Sequence, residues 1–249
     1  MPHVLSSKAD RPSNKFVQEK RRKGETNMAW FRRNLESLSK EEGAQDAAYL
    51  ILLGGKENVH FRLRVAQAYV RHDSSPSHFS HVALLRASGW TRTAGLWEIA
   101  LDGKGEFGFP PENNGVQTGS LNQYSSADQF PNLAVMRLPI PLSKLQNLLK
   151  NFQKQRTEID CVELMLLWLG YVWSVGRPVN PLLDGHGTPS AAFVEALAAA
   201  AGFDLTPGLE SRASCPEAIW QAAKWWHKYY ESTKLAPIRG VWHLEHYLG

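Results

Sequence analysis

Strand-like segments come early in this chain and helix-like segments come late, and that order leaves few architectures open. Before residue 142 lie four short apolar runs: "AAYLILLGG" (47–55), "SHVALL" (80–85), "LWEIAL" (96–101) and "NLAVMRLPI" (132–140). Gly, Pro, Asn or Ser punctuates most of their ends, as expected of strands. After them come "SKLQNLLKNFQKQR", "DCVELMLLWLGYVWSV", "TPSAAFVEALAAAAG" and "CPEAIWQAAKWWHKYYE", with apolar residues at helical spacing. Strands first and helices afterwards predict an α+β fold, an antiparallel sheet packed against helices, not an alternating α/β unit. Ser143, Asp160 and Thr188 stand as helix caps, with Pro189 at a first helical position and Gly202 just past a helix end. "HFRLRVAQAYVR" (60–71) fits strand or helix equally well.

With 249 residues, 43% of them hydrophobic and 21% charged, the chain can bury a sizeable core. No apolar run reaches the ~18 residues of a membrane span, and "MPHVLSSKADRPSNK" lacks a signal-peptide core. The expected location is cytoplasmic, unless a dedicated secretion machine carries the chain. Two cysteines, Cys161 and Cys215, are too few for a disulfide framework or a cysteine-built zinc site. A net charge of +4 does not argue for nucleic acid. No cofactor motif is present: Gly54-Gly55 lacks the Gly-Lys-Ser/Thr ending of a phosphate loop. His243, Glu245 and His246 lie too close together on a short tail to argue for a metal.

Three regions are predicted. Residues 1–45 are highly charged, with basic clusters at Lys20–Lys23 and Arg32–Arg33, and read as a solvated or partly helical arm, or as a docking arm for an acidic partner surface. Residues 46–210 form the main domain. Residues 211–249 carry a tryptophan-rich helix and tail expected to pack on that domain, or to offer aromatic surface to a protein partner. Between Asp102 and Pro131 the composition is Gly, Pro, Asn and Ser without period, which reads as a long loop beside whatever site the strands carry.

Two residues break the apolar pattern of the central strands: His81 and Glu98. A turn symmetric about Gly89-Trp90 sets them directly opposite each other on one face, with Ala83 and Ala100 as small neighbours. Opposed residues have Cβ atoms about 4.5–5.5 Å apart. A carboxylate at that distance orients an imidazole and holds its tautomer. Ser190 lies in the first turn of its helix, among unpaired N–H groups at the positive end of the dipole.

The order "SHVALL", then "LWEIAL", then "PSAAFVEALAAAAGFDLTPG" resembles the circularly permuted papain-like superfamily, the YiiX-like and NlpC-related hydrolases. The resemblance spans roughly Tyr49 to Pro207. It implies a permuted papain-like fold that cleaves amide, isopeptide or thioester bonds in a protein or peptide substrate. It places His81 on the catalytic histidine, Glu98 on its orienting carboxylate, and Ser190 where the family has its nucleophilic cysteine. Asp160 matches the aspartate of a segment that precedes the nucleophile helix, with Ile159 in place of an aromatic residue. Asp160, His186 and Ser80 are the residues expected at the substrate groove. The serine has three readings: an introduced Cys→Ser change, a natural loss of activity that leaves a binding module, or a serine nucleophile served by His81. Cys161 and Cys215, each near a helix start, are rival nucleophiles. The rival function is a non-catalytic module of the same fold that recognises a protein or peptide, partnered through the basic arm or the tryptophan-rich end.

Overall fold

The computed structural model describes residues 16–101, 113–176, 178–233 and 236–245. Strand β2 (Ala47–Gly54) is buried at every position, as its unbroken apolar sequence demands. It lies antiparallel between β3 (His81–Leu85) and β6 (Asn132–Pro141). Outside β3 follow β4 (Gly95–Glu98) and β5 (Gln117–Ser120). Outside β6 follow β7 (Arg239–His243) and β1 (Phe16–Gln18). The seven strands run in the order β1-β7-β6-β2-β3-β4-β5. The fold is α+β as predicted, but the sheet is mixed rather than purely antiparallel. The first described residues take the free edge of β7 in parallel, Phe16 beside Gly240.

Both faces of the sheet are covered. Helices α4 (Leu142–Lys154), α5 (Cys161–Val172), α6 (Pro189–Ala200) and α7 (Pro216–Tyr229) pack on the face of Leu50, Leu52, Val82, Leu84 and Met136. Helix α1 (Asn27–Leu38) covers Tyr49, Ile51, Leu53, Ala83, Leu85 and Val135 on the other. The ambiguous segment is helical, as α2 (Asn58–Ala66) and a single turn α3 (Ala68–Arg71). Val59, Leu63 and Ala66 share one face of α2 and pack against Trp168 and Val172 of α5.

The predicted solvated arm is corrected over its described part. Trp30, Phe31, Leu35 and Leu38 are 0% exposed, an entire apolar stripe buried against the sheet. Charge hid this stripe. Arg32, Arg33 and Glu36 occupy the outer face, where Arg33 pairs with Glu25 and Arg32 with Glu36. Residues 1–15 lie outside the described residues. The tryptophan-rich end is likewise part of the fold, since α7 buries Ile219 and Trp220 and β7 sits inside the sheet.

The predicted loop is partly ordered structure. Residues 102–112 lie outside the described residues, but Gln117–Ser120 pairs with β4 and Leu121–Tyr124 forms a 3₁₀ turn. An edge strand of Gln, Thr, Gly and Ser has no apolar alternation to betray it. The cap at Ser143 is also revised. Helix α4 starts at Leu142, and the Ser143 hydroxyl donates instead to Asp46 Oδ2 at 2.6 Å.

One buried charge ties the helices to the sheet. Glu217, in the first turn of α7, is 0% exposed. Arg71 Nη1 lies 3.1 Å from its Oε1, the Ser77 hydroxyl donates to Oε2 at 2.5 Å, and Gln221 Nε2 donates to Oε1. Its own N–H donates to Gln67 Oε1, while Gln67 Nε2 donates to the carbonyls of Leu63 and Phe79. Removing Glu217 takes the acceptor from Ser77, Gln221 and one guanidinium nitrogen of Arg71, which keeps its bonds to Asp73. Glu217→Ala is therefore expected to destabilise the protein by about 1–3 kcal/mol. Urea unfolding checks this, and a loss below about 1 kcal/mol refutes the network's role.

Candidate active site

His81 is the first residue of β3 and Glu98 the last of β4. The register pairs Leu84 with Trp97 and Leu85 with Leu96, so Glu98 stands opposite Ala83 and diagonal to His81. The expected direct opposition is thus displaced by two residues, because the connection is longer than a tight turn. Arg86 N–H closes it on the Gly95 carbonyl. A shift of two preserves the face, and a glutamate is long enough to span the diagonal. His81 Nε2 and Glu98 Oε2 are 2.8 Å apart.

Glu98 has two further partners that sequence reasoning missed. The Tyr124 hydroxyl donates to Oε2 at 2.6 Å, and Gln123 Nε2 donates to Oε1 at 2.5 Å. Both come from the 3₁₀ turn inside the supposed loop. The Tyr124 ring also lies against the His81 ring, centroids 5.9 Å apart. Asn27 pins this turn: its Nδ2 donates to the carbonyls of Tyr124, Ser126 and Phe130. Hydrogen-bond donors therefore surround Glu98, the arrangement a carboxylate requires when buried. With Nε2 committed to Glu98, Nδ1 is the His81 nitrogen left for base chemistry.

Ser190 comes from the opposite side. It occupies the second position of α6, and α6 belongs to the core on the other face of the sheet. Ser190 and His81 nevertheless line one cavity past the start of β3, with Ser80, Tyr124, Thr188 and Ala100. The cavity volume is about 10 Å³, room for one water-sized group. Among the described residues, the Ser190 hydroxyl donates no hydrogen bond, to His81 or to any other group. The three expected catalytic residues are thus gathered, but only His81 and Glu98 are joined.

A second histidine shares this cavity. His60, on α2, is buried, and its Nδ1 lies 2.9 Å from the Ser80 hydroxyl. Ser80 also accepts from the Gly55 N–H at 3.3 Å. A Cβ at Gly55 would come within 2.7 Å of the His60 ring, so glycine there permits the close approach. The sequence marked Gly55 only as a strand end, and nothing local in "ENVHFRLR" sets His60 apart.

The other expected groove residues divide. Ser80 lines the cavity. Asp160 does not: its Oδ1 accepts from the N–H groups of Val162 and Glu163, capping α5. His186 does not line it either, and its loop is held by a bond from its own N–H to the Pro181 carbonyl. The rival nucleophiles are buried and do not line the cavity. Burial pushes the Cys161 thiol well above its ordinary range and the Cys215 thiol up to about 12, opposite to the shift a reactive thiolate needs. Among the described residues no cluster of three metal-ligating side chains exists. His246 lies outside them, and His243 accepts from Arg21.

On α6 itself, Glu195 is buried and accepts from the Ser214 hydroxyl at 3.2 Å. Burial raises its carboxyl from about 4.5 to about 7. The folded state therefore holds this proton more tightly than the unfolded chain. Stability from this group is full below pH 4.5 and falls as the pH climbs towards 7. Glu195→Gln removes that fall. The variant should match the parent near pH 4 and exceed it near pH 8 by up to ~3 kcal/mol. Urea unfolding at the two pH values checks this; equal parent-to-variant differences at both refute it.

Compared with protein-family models, curated proteins and solved structures, the chain matches none of them.

Proposed function

We propose that this chain carries a permuted papain-like hydrolase site for amide, isopeptide or thioester bonds, with Ser190 in the nucleophile's place. The observation that carries the reading is the His81–Glu98 pair held by Tyr124 and Gln123 beside a helix start. Burying a histidine and a glutamate at the ends of apolar strands costs desolvation free energy. A catalytic role gives that cost a purpose.

In this reading Glu98 fixes the His81 tautomer with hydrogen on Nε2. Nδ1 takes the proton of the side chain at position 190 as that side chain attacks the acyl carbon. His81 then returns the proton to the leaving group. Water hydrolyses the acyl intermediate by the same route in reverse order. A thiol suits this site better than a hydroxyl, because an imidazole can hold a thiolate already formed, whereas a serine must lose its proton during attack.

A specific observation favours a second reading, a non-catalytic binding module. Ser190 makes no hydrogen bond to His81, and the cavity between them is small. Two measurements separate the two readings. Ser190→Cys should create a thiol alkylated by iodoacetamide at pH 7, and adding His81→Ala should slow it at least about tenfold as the thiol returns to its ordinary acidity. Cys161 and Cys215 should stay unlabelled until the protein is unfolded. An inert thiol at 190, or one indifferent to His81, overturns the hydrolase reading. A fluorophosphonate probe on the parent protein reports on the hydroxyl: labelling that Ser190→Ala abolishes shows a serine nucleophile, and its absence beside a reactive Ser190→Cys shows a thiol site silenced by serine.

A further inference from the structure

Thr188 occupies the N-cap position of α6, where a threonine hydroxyl ordinarily accepts from an N–H of the first turn. Here it does not cap. Its backbone is in place, with the N–H donating to the Ser214 carbonyl at 2.9 Å and the carbonyl accepting from Ala191 and Ala192. Yet the hydroxyl has no hydrogen-bond partner, although the residue is 1% exposed. It lines the same cavity as Ser190 and His81. A buried hydroxyl withheld from its ordinary bond, on a residue that lines a cavity, is a donor held ready for a ligand.

The adjoining backbone favours the same kind of ligand. The Ser190 N–H donates to no backbone carbonyl, as is usual in a first turn. The positive end of the α6 dipole meets the cavity there. We infer that the Thr188 hydroxyl, with the Ser190 N–H beside it, binds the carbonyl oxygen of an acyl substrate and holds the charge that develops on it. This inference rests on the acyl-transfer reading above. It assigns Thr188 the part of a catalytic residue, one that touches the substrate oxygen while His81 moves the proton.

The electrons account for the need. Attack by the side chain at 190 forms a bond to the acyl carbon and drives the carbonyl π pair onto oxygen, where Thr188 donates to it. Collapse of the adduct restores the carbonyl and breaks the bond to the leaving group, which takes the proton from His81. Water then attacks the acyl intermediate through a second oxyanion at the same place and releases the acid.

The test uses the full chain with Ser190→Cys as the parent, compared with added Thr188→Val, which keeps shape and loses the hydroxyl, and added Thr188→Ser, which keeps the hydroxyl. Iodoacetamide alkylation reads the thiol and His81, because it forms no oxyanion. Acetylation by p-nitrophenyl acetate, followed by p-nitrophenolate release, does form one. Thr188→Val should slow acetylation by about 100-fold while alkylation changes by less than about threefold, and Thr188→Ser should recover most of the acetylation rate. If alkylation is fast but Thr188→Val acetylates as well as its parent, or the parent is not acetylated at all, the Thr188 assignment is overturned and the His81-dependent site stands. Slow alkylation indifferent to His81 overturns the acyl-transfer reading and the assignment with it. Recovery by valine rather than serine would show that only shape matters at 188, which also overturns it.

Discussion

The burial of β2 along its whole length governs the rest of the molecule. A strand with no exposed position must have pairing on both edges and cover on both faces. Its edges go to β3 and β6. One face takes α4 to α7, and the other is left for α1. The N-terminal layer is therefore a requirement of the core. Fully burying four large side chains of α1 contributes on the order of 1.5–3 kcal/mol each, and without them Tyr49, Ile51 and Leu53 would face water.

That two-sided cover shapes the site. His81 sits on the α1 face of β3, with Ala83 and Leu85, while Ser190 rides on α6 in the other core. They meet only past the start of β3, where the sheet no longer separates them. Asn27 of α1 holds the turn that carries Gln123 and Tyr124, and those two hold Glu98. The N-terminal layer thus reaches the dyad through two successive sets of hydrogen bonds. A single asparagine with three carbonyl partners recurs at Asn114, whose Nδ2 donates to Phe152, Gln155 and Ile159 while its Oδ1 accepts from Cys161 N–H. Each such residue gives backbone carbonyls a partner, among them the buried ones of Tyr124 and Phe130 at Asn27 and of Phe152 and Ile159 at Asn114, and a buried carbonyl left unsatisfied costs about 1–3 kcal/mol.

Much of the candidate site was legible from the strand sequences because strands have a period of two. His81 and Glu98 interrupt apolar alternation, so their shared face follows whichever even register the hairpin adopts. The helix start at Ser190 was legible because Thr-Pro punctuates it. Tyr124, Gln123 and His60 were not legible. Tyr124 and Gln123 lie in a polar stretch without period, and His60 lies on a helix whose apolar face is short. Their places depend on contacts across twenty or more residues, which no local pattern records. Asp160 shows the converse: a residue whose local role as a cap was readable, and which the structure keeps in that role and off the cavity.

The sequence alone determined the class of fold, the four apolar strands, the late helices, the Asp160 cap and the pairing of a histidine with a glutamate, because period, punctuation and turn chemistry act over a few neighbouring residues. Only the tertiary structure decided that the charged N-terminal segment is a buried layer, that a polar run forms an edge strand, and that Thr188 keeps an unpartnered hydroxyl beside a cavity. Those outcomes follow from which surfaces must be covered and which polar groups must find partners once the chain is compact, and both are properties of the whole molecule.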